Sequence, residues 1–204
     1  MVQLLNRGSN GSRRARRRSE SRRHEILRAA ARVFRRRGLA AAGMREIADE
    51  ADLSPGNLYY YFSGKDELLR FCQERTLDHM LAAVESARAM RGSSAERVRE
   101  VLRAHVHAML DELEGATAHL EVELLPEALR RSVIQKRDRY ERAVRELVRE
   151  GVAGGEFAPC DAALVTRAML GAVNWTARWY RPDGRQSVAQ IARGLADYLV
   201  RGLE

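Results

Sequence analysis

Apolar residues recur along this chain at helical spacing, with almost no strand-like alternation. Ile26, Ala30, Val33 and Phe34 fall at i, i+4, i+7 and i+8, one stripe of a helix that begins at Ser21 and stops at Gly38. A short helix is expected over about 44–51, with Ile47, Ala48 and Ala51 inward. Gly43 takes its N-cap position, and Glu46 stands where a capping-box acid would reach back. Leu53 closes a turn and Ser54 is the next N-cap. Pro55 occupies the first helical position, where its missing N–H costs nothing, and this helix runs to Phe62. Ser63 and Gly64 break the pattern, and Lys65 opens a long helix to about Met90.

The second half reads the same way. Ser93 and Glu96 are spaced as a capping box ahead of a stripe of Val98, Val101, Leu102, Val106, Met109, Leu110 and Leu113. A shorter helix is expected over about 117–125, and Pro126 opens another to about Glu150. Residues 151–159 form a turn, Asp161 starts a helix through Tyr180, and 181–186 are a loop. Ser187 and Gln190 make a last capping box before the face of Ile191, Leu195, Tyr198 and Leu199. The expectation is an all-α protein of nine helices. Four prolines in 204 residues and few runs of Val, Ile and Thr agree with it.

Charge changes this picture at one end. Eight arginines (7, 13, 14, 16, 17, 18, 22 and 23) lie within the first 23 residues against one acid, Glu20, and account for nearly all of the net charge of +8. Residues 1–20 are poor in apolar side chains and read as a disordered basic arm suited to nucleic-acid phosphates, the alternative being a solvated tail. No apolar run reaches the ~20 residues of a membrane span, and no apolar segment follows the basic start, so a cytoplasmic protein is expected. Cys72 and Cys160 form no metal or redox spacing and read as two structural thiols.

Two short helices joined by a tight turn and packed on a longer one describe a helix-turn-helix unit. Leu58 and Phe62, four apart, anchor its second helix on Ile47, Val33 and Phe34. Asn57, Tyr59, Tyr60 and Tyr61 are left outward or at the flank, and three successive tyrosines exceed what a core can take. Phenolic hydroxyls donate to phosphates, and aromatic rings pack on thymine methyls. The alternative is an aromatic surface for protein contact.

Arg45-Glu46-Ile47-Ala48, the run from Leu53 to Phe62 and Lys65-Asp66-Glu67-Leu68-Leu69 resemble, in that order and spacing, the N-terminal domain of TetR-family repressors. The resemblance covers roughly 22–70. It implies that Arg45 reaches a base edge or phosphate, that Gly56 permits close backbone approach, and that Asn57 and Tyr60 contact bases. It further implies that Tyr59, Tyr61 and Lys65 hold phosphates beside the Ser54–Pro55 start of the recognition helix. Gly43 departs from the family's usual Ser or Thr and loses a hydroxyl contact. With few long base-reading side chains, much of the affinity is expected from phosphates, with steep salt dependence.

The same resemblance makes 21–80 a DNA-binding domain and 81–204 a ligand and dimer domain. It implies a homodimer through the last two helices and a palindromic operator. Gly155-Glu156-Phe157, Gly171, Asn174-Trp175 and Trp179-Tyr180-Arg181-Pro182, with the stretch 137–140, resemble the TetR branch that senses acyl-CoA thioesters. Trp175 and Trp179 at i, i+4 could line an acyl slot with Arg178 nearby, or simply fill a core. His105 and His107 point to different helix faces, and His24, His79 and His119 have no ligand partner at metal spacing. No nucleophile-elbow, P-loop, dinucleotide or zinc-protease pattern occurs, so neither an enzyme nor a cofactor is expected. The rival reading is an architectural DNA-binding protein dominated by its arginine arm.

Overall fold

The computed structural model describes residues 7–110 and 122–204. Among them are eight α-helices and no strand: α1 Arg7–Ala41, α2 Met44–Glu50, α3 Pro55–Tyr61, α4 Lys65–Ala89, α5 Ser94–Leu110, α6 Glu127–Ala153, α7 Ala162–Trp179 and α8 Val188–Arg201. The helix expected over 117–125 lies mostly outside the described residues, as do Leu113 and His119; its described end is one 3₁₀ turn, Val122–Leu124. The caps explain most helix starts. Ser54 Oγ accepts from Asn57 N, Asp161 accepts from Ala163 N and Leu164 N, and Ser187 with Gln190 forms a reciprocal capping box. Ser93 and Glu96 form a second box at the head of α5.

Three local expectations change. Helix α1 begins at Arg7 rather than Ser21, so residues 7–20 of the arm read as disordered are helical; arginine is a good helix former and the segment is continuous with a packed helix. Its residues 16–20 are exposed. Gly38 does interrupt α1, at φ +75°, before a last turn to Ala41. Glu46 does not cap α2 but accepts from Arg37 Nε at 3.2 Å, since the glycine at the N-cap brings no side chain to a reciprocal pair.

Helices α1–α3 enclose a small core of Ile26, Val33, Phe34, Ile47, Leu58 and Phe62, all at or below 1% exposure. The second unit packs α5 against α8, with α6 and α7 alongside. Helix α4 belongs to both and runs unbroken across the boundary expected at residue 80. It is zipped to α6 by Glu74 Oε1 accepting from Ser132 Oγ (2.6 Å) and Asp78 from Lys136 Nζ (2.6 Å), with Arg88 pairing with Glu150 (3.0 Å) farther on. No helix among the described residues is long and apolar enough to cross a membrane. Cys72 is buried but Cys160 is exposed, so only the first is a structural thiol.

Candidate nucleic-acid interface and ligand cavity

The turn between α2 and α3 is a Schellman motif built without glycine. Asp52 takes φ +52°, Leu53 N donates to Ala48 O (2.9 Å) and Asp52 N to Asp49 O (3.2 Å). These bonds fix the angle at which α3 leaves. Leu58 and Phe62 hold α3 from below; Ser54, Pro55, Gly56, Asn57, Tyr59 and Tyr60 are exposed on its other side, with Tyr60 83% open. Tyr61 is half-buried against the core and meets the Tyr60 ring edge-on at 5.2 Å, so two of the three tyrosines face out. Arg45, at the start of α2, is exposed as well. Lys65 opens α4, where its ammonium donates to Ala40 O at 3.0 Å. Of the expected DNA-contact set, Arg45, Ser54, Pro55, Gly56, Asn57, Tyr59 and Tyr60 are thus exposed, while Tyr61 is half-buried and Lys65 ties α1 to α4.

Arginines lock this unit from outside. Arg23 donates to Tyr61 O (2.8 Å), pairs with Glu67 (3.6 Å) and lies over the Phe62 and Phe71 rings at 4.8 and 5.3 Å. Arg22 pairs with Glu25 and donates to Ala51 O (3.3 Å). Arg32 and Arg36 both grip Glu50 at 2.6 Å, and these two bonds hold its carboxyl below the usual range. Burial pushes Glu67 up, but the Ser63 N–H and hydroxyl and then Arg23 outweigh it, and its pKa is lowered. Arg22 and Arg23, counted with the basic arm from sequence, are thus internal clamps. Between the root of that arm and α4 lies a groove of about 560 Å³, lined by Arg17, Glu20, His24, Glu74 and Asp78 among others.

The second unit contains a 230 Å³ cavity where four helices meet. Leu77 comes from α4, His105 from α5, Arg137, Asp138, Tyr140 and Glu141 from α6, and Leu170 and Asn174 from α7. His105 is hydrogen-bonded on both ring nitrogens, to the Tyr140 hydroxyl and to Asn174 Oδ1, each at 3.0 Å. Burial drives the His105 pKa down to about 4 and lowers that of Arg137. His107 is exposed on the opposite face.

Trp175, Arg178 and Trp179 do not line this cavity, and the two tryptophans fill no core within the single chain. Trp175 and Trp179 are 64% and 46% exposed and Arg178 is exposed, so the three share an outer face of α7. The cavity faces Leu170 and Asn174, because one residue along a helix is a rotation of about 100°. Gly155-Glu156-Phe157 serves the fold rather than a ligand. Glu156 accepts from Ser94 N (2.6 Å) and Ser94 Oγ (3.1 Å), binding the α6–α7 turn to the head of α5. Phe157 lies on Gly151 so closely that a Cβ there would stand 2.2 Å from its ring.

Sequence families agree with this geometry. Residues 26–71 match the model described as "Bacterial regulatory proteins, tetR family", and 91–203 match "Tetracyclin repressor-like, C-terminal domain". The chain belongs to the TetR family of transcriptional regulators. It is 28% identical over 186 residues to the HTH-type transcriptional repressor KstR2 of Mycobacterium tuberculosis, covering 90% of this chain and 93% of that protein. The crystal structure of the TetR-family regulator PfmR from Thermus thermophilus superposes with a TM-score of 0.79 at 33% identity, over 88% of this chain and 98% of PfmR. AibR in complex with isovaleryl coenzyme A and operator DNA superposes with a TM-score of 0.75 at 25% identity, over 90% of this chain and all of AibR. A DNA-binding regulator of this family is generally not an enzyme.

Proposed function

We propose that this TetR-family regulator is a ligand-released repressor that grips a palindromic operator as a homodimer, with a small acyl thioester or similar hydrophobic molecule as effector. The observation that carries the reading is α3. A capped helix with Leu58 and Phe62 buried beneath it presents Asn57, Tyr59 and Tyr60 to solvent beside Arg45. Asn57 and Tyr60 face base edges, Arg45, Tyr59, Tyr61 and Lys65 hold phosphates, and Gly56 lets the backbone approach. The repressor name of KstR2 and the isovaleryl coenzyme A in the AibR complex support the direction and the effector class.

The second copy covers α7 and α8, where Leu164, Trp175, Trp179 and Tyr198 stand exposed on the single chain. Effector in the 230 Å³ cavity acts on α6, whose Lys136 and Ser132 hold Asp78 and Glu74 of α4. Helix α4 in turn starts at Lys65, beside the recognition helix. A ligand that favours one setting of this α6–α4 contact shifts the population of DNA-competent dimers.

Gel-shift titration with the upstream intergenic DNA tests the reading. Asn57→Ala combined with Tyr59→Ala should abolish binding, and a steep fall with salt should accompany it. Unchanged binding by that variant, or equal affinity for random DNA, sinks the operator assignment. A monomer in sedimentation at micromolar concentration sinks the dimer.

A further inference from the structure

Helix α3 is seven residues long, too short to hold a helical course unaided, and its two ends are fixed differently. The N-terminus is capped by the adjoining Ser54. The C-terminus borrows from two other helices. A helix leaves its last carbonyls without partners of its own. Leu58 O takes Phe62 N at 3.1 Å, and Tyr61 O, the last carbonyl of α3, accepts from Arg23 Nη2 of α1 at 2.8 Å. A cation there also meets the negative end of the helix dipole.

Glu67 of α4 takes the next step of the chain. Its Oε2 accepts from Ser63 N and Ser63 Oγ, both at 2.8 Å, while Oε1 faces Arg23 at 3.6 Å. The two side chains form a clasp across the exit of α3, anchored on α1 and α4. Arg23 is itself held in place, its guanidinium lying over the Phe62 and Phe71 rings at 4.8 and 5.3 Å. Tyr60 and Tyr61 are the last two residues of α3, their rings edge-on at 5.2 Å, and Tyr60 is 83% open. The backbone of this last turn sets where Tyr60 points, and the clasp holds that backbone.

Resting on the reading of α3 as the base-reading helix, we infer that Arg23 and Glu67 are positioning residues for sequence discrimination. They hold the last turn of α3 at the angle from which Tyr60 meets base edges, and Arg23 acts through Tyr61 O rather than on DNA. Its place in the basic run suggests the opposite role, a phosphate ligand. Charge separates the two. A phosphate ligand strengthens binding to all DNA alike and steepens the salt dependence, whereas a positioning residue changes only the preference for one sequence.

The test is fluorescence anisotropy of the full-length protein on the upstream intergenic operator duplex and on a random duplex, from about 50 to 200 mM salt. Arg23→Gln should lose about 10-fold in the operator-to-random ratio, the scale of one misread base pair, with random-DNA affinity and salt slope unchanged. Arg23→Lys keeps a donor for Tyr61 O and should recover part of the ratio. Glu67→Gln keeps an acceptor for Ser63 N and should lose less, in the same direction; it decides alone if Arg23→Gln does not fold. Operator and random affinities that fall together, with a slope shallower by about 2 for a dimer, make Arg23 a phosphate ligand and overturn the inference. An unchanged ratio in the variants overturns it too. A wild-type protein with no preference for the operator sinks the reading of α3 itself and this inference with it, and that result is seen before any variant is compared.

Discussion

The two halves of the molecule place their polar groups in opposite ways. Around α1–α3 the core is wholly apolar and the arginines work from outside, on Glu25, Glu46, Glu50, Glu67 and the carbonyls of Ala51 and Tyr61. Beyond residue 70 polar groups go inside. His105, Tyr140 and Asn174 form a buried relay, and the Gln73 amide, the Thr166 hydroxyl and Glu141 Oε1 are buried without partners; no such atom occurs in α1–α3 among the described residues. Satisfied groups and an apolar core make a rigid reader of DNA. Unsatisfied groups around a cavity leave a unit whose packing a ligand can improve.

If the reader is rigid because its core is apolar, one side chain should break it. Phe62 is 1% exposed, packs on Phe71 at 5.3 Å and carries the Arg23 guanidinium. Phe62→Ala should cost about 3–5 kcal/mol in urea unfolding, the largest effect expected here. A loss under ~1 kcal/mol would mean that the arginine clamps, not the core, hold the unit.

The buried relay of the other half should show in pH dependence. His105 titrates near 4 in the folded chain and near 6.5 when unfolded. Between those values the unfolded chain takes up a proton that the folded one refuses. Stability is therefore full above pH 6.5 and falls as pH drops towards 4. From pH 6.5 to 5 the loss should be about 2 kcal/mol. His24, also lowered, first by burial and then by Arg75, adds in the same direction. The depressed carboxylates Glu50 and Glu67 matter only nearer pH 4.5 and below. Chemical unfolding across this window with His105→Gln checks the assignment, since most of the slope should vanish.

The same contrast decides what was legible in the sequence. Caps and apolar stripes are local, so Ser54, Ser93, Asp161 and Ser187 could be read directly, and so could the buried Leu58 and Phe62. The clamps were hidden because Arg22 and Arg23 differ from their neighbours only in facing Ala51 and Tyr61, residues far along the chain. The cavity was half visible. Stretch 137–140 and Asn174 stood in segments that line it, but the bulk of Trp175 drew attention to the exposed side of α7, away from the cavity. Nothing local marks His105 as the centre of a relay, since both its partners come from other helices.

Gln73 offers a gain where the other tests are losses. It is fully buried in α4 one turn before Leu77, and neither amide atom has a partner. Gln73→Met keeps the length of the side chain and removes both orphaned atoms, so it should raise stability by about 1–2 kcal/mol in thermal unfolding. A lower melting temperature would show that the amide is satisfied in solution, and would weaken the contrast between the halves.

The smallest effect probes the one strained point of the reader. Asp52 is the only non-glycine residue with positive φ among the described residues, and it is exposed, so its side chain adds no core contact. Left-handed backbone costs an ordinary residue ~1–2 kcal/mol, less for aspartate, whereas glycine adopts it freely but loses more entropy on folding. Asp52→Gly should thus stabilise by only about 0.5 kcal/mol, read as a small rise in melting temperature. The Leu53–Ala48 and Asp52–Asp49 backbone bonds of the turn involve no side chain, so α3 keeps its angle. Operator affinity should not fall, because a negative charge has been removed beside the surface proposed to hold phosphates. Weaker operator binding in this variant would mean that the carboxylate itself sets the turn, and that the reader depends on more than its apolar core and clamps.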